Sequence, residues 1–298
     1  MYDIIIIGAG PAGMTAALYA IEARKKVLIL DKDCAGGQIL KAKSIKNYPG
    51  FTSISGIEYS EKLLNQLVNL DAEIKYEEVN RISVDGDIKY VTTNISSYSS
   101  KAIIIATGSE NRKLDIPGEK ELIGKGVSYC PMCDGMFYKD KTVAIIGGGN
   151  SCVDGAIYLS GICKKVYVIY RKKEFRSTVL GIQELKENKK IELILNANIK
   201  KILGENSVEK IIVEIDHEEK EIKLDGLFIE IGKMPISSLC KDIINLDDKG
   251  YIVSNEKCTT SVDGIFVAGD IRQKEYRQLT TAVSDGTIAA LNACKYLK

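Results

Sequence analysis

Cys130-Pro131-Met132-Cys133 is the one closely spaced thiol pair among the eight cysteines of this 298-residue chain. Two residues between thiols is the spacing of a redox disulfide, of half a zinc site, or of two buried thiols without chemistry. A structural zinc site needs two further ligands. There is no second Cys-x-x-Cys, and the only histidine, His217, falls in the charged turn Asp216-His217-Glu218-Glu219, which disfavours zinc. The pair follows Val127-Ser128-Tyr129 and precedes Asp134-Gly135, in a polar, turn-forming context. Thiols that cycle between dithiol and disulfide also need a nearby acid or base to handle the departing thiolate's proton. Most of the other cysteines are dispersed and read as small buried hydrophobes.

A second kind of chemistry is written in glycine. Gly8-Ala-Gly10-Pro-Ala-Gly13 follows the apolar run Tyr2 to Ile7, a buried parallel strand, and opens the helical pattern Met14 to Arg24. Val27 to Leu30 supplies a second strand ending at Asp31, 23 residues after Gly8, which completes a dinucleotide-binding fingerprint. Gly8 permits the tight turn, Gly10 lets the backbone approach a pyrophosphate, and Gly13 allows the helix to pack on the strand. The helix N-terminus attracts the diphosphate, and Asp31 can accept from a ribose diol while repelling a 2'-phosphate. The pattern returns at Thr142 to Ile146, the turn Gly147-Gly148-Gly149-Asn150-Ser151-Cys152, a helix from Val153 to Gly161 and the strand Val166 to Tyr170. Arg171, Lys172 and, further on, Arg176 stand where the first copy carries its acid, Arg171 lying 24 residues after Gly147. Bases there can pair with a 2'-phosphate, which predicts NADP(H), although such a run is often only solvated charge.

Two nucleotide-binding patterns in one chain predict an α/β fold of two Rossmann-like domains, each with small antiparallel additions, here around residues 74–101 and 199–224. Lys101 to Ala106 closes the first pattern and Leu227 to Gly232 the second. The strand within Gly264 to Asp270 and a helix from Thr280 to Leu297 then need a partner sheet, so the second domain is expected as an insertion in the first. The expected limits are 1–113 with 244–298, and 114–243. With 41 basic and 40 acidic residues the net charge is +1, so no global field attracts nucleic acid or an anionic membrane. No apolar run approaches the roughly 20 residues of a membrane-spanning helix, and no secretory signal is visible. A cytoplasmic location is the expectation.

Taken in order, the motifs resemble those of the low-molecular-weight thioredoxin reductases, a branch of the pyridine-nucleotide disulfide oxidoreductases. They are Gly8-x-Gly10-x-x-Gly13, Gly36-Gly37-Gln38, Asn47-Tyr48-Pro49-Gly50, Ala106-Thr107-Gly108, Ile116-Pro117-Gly118-Glu119, Cys130-x-x-Cys133-Asp134-Gly135, Gly147-Gly148-Gly149-Asn150-Ser151 and Gly269-Asp270 with Arg277-Gln278. The resemblance spans essentially the whole chain. It implies FAD in the first domain, held by Gly8, Gly10, Gly13, Asp31, Gly36, Gly37, Gln38, Asn47, Thr107, Gly108, Gly269, Asp270, Arg277 and Gln278. NADPH is implied in the second, at Gly147, Gly149, Asn150, Ser151, Arg171, Lys172 and Arg176. It further implies a homodimer in which electrons pass from nicotinamide to flavin, to the Cys130/Cys133 pair and on to thioredoxin or a similar protein, with Asp134 managing thiol protons. Cys152, Tyr170, Gly155 and Pro131-Met132 depart from the family pattern, where alanine, histidine, glutamate and Ala-Thr are usual. A ferredoxin-fed thioredoxin reductase, a flavin dithiol oxidase using oxygen and a non-catalytic flavin-binding or redox-sensing protein are the competing readings.

Overall fold

The computed structural model describes residues 1–42 and 44–298. Its contacts divide the chain into two compact units, Met1–Glu110 with Met234–Lys298, and Asn111–Lys233. The second unit is therefore contained in the first along the chain. The crossings fall at 110/111 and 233/234, against the 113/114 and 243/244 expected from the sequence, the second one lying in the short strand Lys233–Pro235.

The first unit is built on a seven-stranded sheet in the order Glu73–Tyr76, Val27–Asp31, Tyr2–Ile7, Ser97–Ile105, Ile88–Thr93, Val79–Asp85, with Ile265–Val267 also paired to Ser97–Ile105. Ile4 to Ile7 are at most 3% exposed because the strand is covered on both faces. Ile4 and Ile6 pack into a core with the helices Pro11–Glu22 and Leu279–Tyr296, and Ile5 and Ile7 into one with Cys240, Ile244 and Ile252. Continuous rather than alternating apolar residues are what such a doubly covered strand requires. The long strand Ser97–Ile105 serves two sheet types. Its first half pairs antiparallel with Ile88–Thr93, and its second half pairs parallel with Tyr2–Ile7 and Ile265–Val267. The antiparallel addition is thus narrower than the sequence suggested, since Glu73–Tyr76 pairs in parallel with Val27–Asp31. The C-terminal helix joins this unit, as the sequence required. A Cβ on Gly286 would overlap the Ala12 carbonyl oxygen, so the two helices cross almost backbone to backbone.

In the second unit five parallel strands follow the order Ile191–Leu195, Lys165–Tyr170, Thr142–Ile146, Gly226–Ile229, Val127–Ser128. Ala144 and Ile146 face one core, Val143 and Ile145 the other. The strands Ala197–Leu203, Lys210–Ile215 and Glu218–Lys223 form the expected antiparallel addition. In each unit the strand before the glycine turn stands where the strand order reverses, and ligands bind outside the carboxyl ends of strands at such a point. No helix among the described residues is long and apolar enough to cross a membrane.

Candidate functional site

In the first unit the chain folds four distant segments around one glycine turn. Gly8 has φ +106°, and a Cβ there would overlap the Ala106 carbonyl oxygen. A Cβ on Gly13 would overlap the carbonyl oxygen of Gly8. Gly10 has nothing within 4 Å of its Cβ direction and caps the helix Pro11–Glu22, so free space lies where that helix presents its N–H groups. Asp31 accepts from Ala9 N–H at 2.6 Å and from Asp33 N–H at 3.0 Å. A carboxylate oxygen has capacity beyond one hydrogen bond, so a ribose hydroxyl can still be accepted. Gly36 N–H donates to the Ala9 carbonyl at 2.8 Å, and a Cβ on Gly37 would lie 3.3 Å from Gly10 Cα. Gly269, φ +80°, rests on Ala12. Asn47 Nδ2 donates to Gln278 Oε1 at 3.3 Å across 231 residues of sequence. Gly108 is open, and Thr107 donates to the Ile236 carbonyl at 2.8 Å. The Arg277 guanidinium lies 3.8 Å over the Tyr251 ring and donates to the backbone carbonyl of Asp270 at 3.3 Å. Gln38 is exposed and accepts from Lys41. A bare-backbone cradle at a helix N-terminus with an acid at the next strand end fits a flavin dinucleotide.

One part of this site has no sequence signature. Asp285, on the last helix, accepts from Arg272 Nη1 at 2.5 Å, from Lys274 Nζ at 2.8 Å and from Gly269 N–H at 3.1 Å. All three side chains are nearly buried. Buried charges persist only when paired and bonded in this way. The cluster anchors the Gly269–Ile271 turn, and with it Asp270, to the helix.

The second unit repeats the arrangement. Gly147 has φ +151°, a Cβ on it would overlap the Glu230 carbonyl oxygen, and Gly149 caps the helix Asn150–Ser160 with room at its Cβ position. Asn150 and Ser151 are exposed in the first turn. Arg171, Lys172 and Arg176 are all exposed, yet the loop carrying them is not a loose charge run. Arg176 N–H donates to the Gly148 carbonyl at 2.6 Å, and Phe175 stacks on Tyr170 at 5.4 Å, 19° between planes. The Tyr170 ring covers Gly148, where a Cβ would overlap it. The tyrosine that departs from the family pattern thus clamps the basic loop to the glycine turn. Cys152, the third fingerprint position, is wholly buried, and burial pushes its thiol far above the usual range.

Cys130 and Cys133 form a disulfide with Cα atoms 5.3 Å apart. Cys130 caps the short helix Pro131–Asp134, with Cys133 N–H 3.2 Å from its sulfur. The Ser128 hydroxyl accepts from Cys130 N–H at 3.0 Å and donates to Asp134 Oδ2 at 2.6 Å, tying that carboxylate to the backbone of the first cysteine. Pro131 sits in a notch left by Gly155, where a Cβ would come within 2.9 Å of the proline ring. The two departures from the family pattern are one packing solution. Met132, Met136 and Phe137, all on the turns around the disulfide, are exposed.

The chain matches the family model described as pyridine nucleotide-disulphide oxidoreductase over residues 2–286. The thioredoxin reductase of Bacillus subtilis is 40% identical over 301 residues, covering 100% of this chain and 95% of that protein. A 34.2 kDa protein in the rubredoxin operon of Clostridium pasteurianum is 42% identical over 298 residues, covering 99% and 97%. The crystal structure of thioredoxin reductase from Streptococcus pyogenes superimposes with a TM-score of 0.93 at 40% identity, covering 100% of this chain and 98% of that one. The chain belongs to the pyridine nucleotide-disulphide oxidoreductase family. Within it, the redox pair, the two nucleotide turns and the full-length likeness are those of thioredoxin reductases.

Proposed function

We propose that this chain is an NADPH-dependent thioredoxin reductase, carrying FAD in the unit Met1–Glu110 with Met234–Lys298 and binding NADPH in Asn111–Lys233. The observation that carries this reading is the disulfide Cys130–Cys133, placed in the unit that also holds the second nucleotide turn and rimmed by exposed apolar side chains. Gly8, Gly10, Gly13, Asp31, Gly36, Gly37, Gln38, Asn47, Thr107, Gly108, Gly269, Asp270, Arg277 and Gln278 hold the flavin dinucleotide. Gly147, Gly149, Asn150 and Ser151 receive the NADPH diphosphate, and Arg171, Lys172 and Arg176 its 2'-phosphate. Bound FAD would supply a two-electron relay between the nicotinamide and a disulfide.

The remaining work belongs to side chains of this protein. Reduction of the pair by two electrons and two protons opens it to a dithiol. One thiolate then attacks a disulfide of the substrate protein, a mixed disulfide forms, and the second thiolate displaces the substrate as a dithiol while Cys130–Cys133 closes again. Asp134, held by Ser128, accepts and returns the thiol protons. Met132, Met136 and Phe137 supply an apolar contact for a protein substrate, thioredoxin or a relative of it. Exposed Tyr19, Ile57, Val68 and Leu291, on the helices of the first unit, suit a homodimer surface. Six free cysteines, five of them buried, suit the reducing cytoplasm. The test is replacement of either thiol. Cys130→Ser and Cys133→Ser should each retain flavin reduction by NADPH while thioredoxin turnover falls at least about a thousandfold, since one sulfur cannot close the cycle. Turnover by both variants near the parent rate would refute the assignment.

A further inference from the structure

The strand registers of the two nucleotide turns put residues of unlike chemistry in the same place. In the first unit Ile7 pairs with Leu30, and Gly8 N–H donates to the Leu30 carbonyl at 2.7 Å. In the second Ile146 pairs with Ile169, and Gly147 N–H donates to the Ile169 carbonyl at 3.1 Å. The residue that follows is Asp31 in one copy and Tyr170 in the other, so Tyr170, one position before Arg171, is the structural equivalent of the acid. The two side chains also go to the same spot. Asp31 Oδ2 accepts from the N–H of Ala9, the residue after the first glycine of its turn. Tyr170 lays the far end of its ring over Gly148, which holds that place in the second turn: a Cβ on Gly148 would overlap Cζ and both Cε atoms. The ring therefore stretches across the glycine turn from the strand end at which a dinucleotide fold meets the ribose.

Tyr170 is 5% exposed, and its hydroxyl finds no hydrogen-bond partner among the described residues. Buried polar atoms are as a rule bonded, so this one calls for a cause. Packing does not supply it. Phe175 stacks on the ring at 5.4 Å and Gly148 lies against it, and a phenylalanine would make both contacts. We propose that the Tyr170 hydroxyl donates a hydrogen bond to the ribose 2'-phosphate of NADPH and helps to select NADPH over NADH. The inference rests on the reading that this unit binds NADPH. The contrast with Asp31 gives the chemical reason. A carboxylate only accepts and is negative, which suits a ribose diol and opposes a phosphate, whereas a phenol is neutral and offers an O–H to a phosphate oxygen. The bases are close by along the chain: Arg171 follows directly, and Arg176 N–H donates to the carbonyl of the same Gly148 that the ring covers, at 2.6 Å. In this structure the hydroxyl is shut off from solvent, so seating the phosphate requires the basic loop, which Phe175 holds to the ring, to shift.

The experiment compares the FAD-loaded full chain with Tyr170→Phe, which keeps the ring and its stack and removes one oxygen. Calorimetry gives the dissociation constants of NADP+ and of 2',5'-ADP for the oxidised proteins, and stopped-flow under anaerobic conditions gives the second-order rate constants of flavin reduction by NADPH and by NADH. In the variant both dissociation constants should rise about tenfold, and the NADPH rate constant should fall by a similar factor, as expected for a lost bond to a charged group. The NADH rate constant should stay within about twofold of the parent value. An unchanged NADP+ constant would overturn the role of Tyr170 and leave NADPH binding standing. Equal losses with NADPH and NADH would place the hydroxyl on a part common to both nucleotides and overturn its role in selection. Failure of the parent protein to bind NADP+ would overturn both the proposal and the reading beneath it. Without nucleotide, the variant should hold as much FAD as the parent and unfold at no lower a temperature, because the hydroxyl has no protein partner to lose. A midpoint lower by more than about 2 °C would show that the hydroxyl is bonded within the protein and would remove the ground of the proposal.

Discussion

Pro131, between the two redox cysteines, packs directly against Gly155. Proline fixes the first turn of the helix Pro131–Asp134, and Gly155 provides the space its ring occupies on the helix Asn150–Ser160. Gly135 extends the same contact, since a Cβ there would meet Leu159 and Tyr158 at 3.0 Å. Gly155→Ala should therefore overpack this contact and cost about 1–3 kcal/mol, lowering the unfolding midpoint by at least about 2 °C. Adding Pro131→Ala should recover much of the loss, a coupling that a double-mutant cycle measures. Gly161→Ala, where the new Cβ meets only the Tyr158 carbonyl oxygen at 3.4 Å, is the control and should change little. Equal and additive losses without recovery would show that the two residues do not act on one another.

The turn between strand and helix is the element that carries both cofactor assignments, and the residues at the end of the next strand distinguish them. Asp31 closes over the first turn through Ala9, whereas the loop from Arg171 to Arg176 is pinned to the second through Gly148 and the Tyr170–Phe175 stack. Charge-assisted bonds to a 2'-phosphate contribute about 1.5–3 kcal/mol each when well formed, and exposure of these side chains lowers that. Replacing Arg171 and Arg176 together with Ala should raise the Michaelis constant for NADPH at least about tenfold, while the constant for NADH and the FAD content stay nearly unchanged. An unchanged NADPH constant would make the bases a solvated run. These elements were legible in the sequence because a glycine turn, a buried strand and a charged strand end each need particular residue types at fixed local spacing. The Asp285, Arg272 and Lys274 cluster was not legible, because Arg272 and Lys274 reach Asp285 on the following helix, 13 and 11 residues on, at a spacing that belongs to no motif or periodicity.

For the whole chain, the sequence already implied a discontinuous first unit, since the strand and helix after Gly264 had no sheet of their own. The limits of the inserted unit were less legible: Gly232 and Pro235 flank the change at 233/234, yet the expected limit lay ten residues further on, at 243/244. Two nucleotide units and one disulfide have a joint purpose only if electrons entering at one reach the other. The central claim is therefore that NADPH reduces Cys130–Cys133 and thioredoxin reoxidises it. The direct measurement is a count of rapidly alkylated thiols, mapped by mass, on the folded FAD-loaded protein under anaerobic conditions. Before reduction, exposed Cys34 should react, while Cys163, Cys240 and Cys258 stay silent because they are buried and their thiols are pushed up to about 11, 12 and 11. Addition of NADPH should expose two further thiols per chain, Cys130 and Cys133, and oxidised thioredoxin should remove both while gaining two of its own. Flavin reduction by NADPH with no new thiols at Cys130 and Cys133, or new thiols that thioredoxin leaves untouched, would contradict that claim.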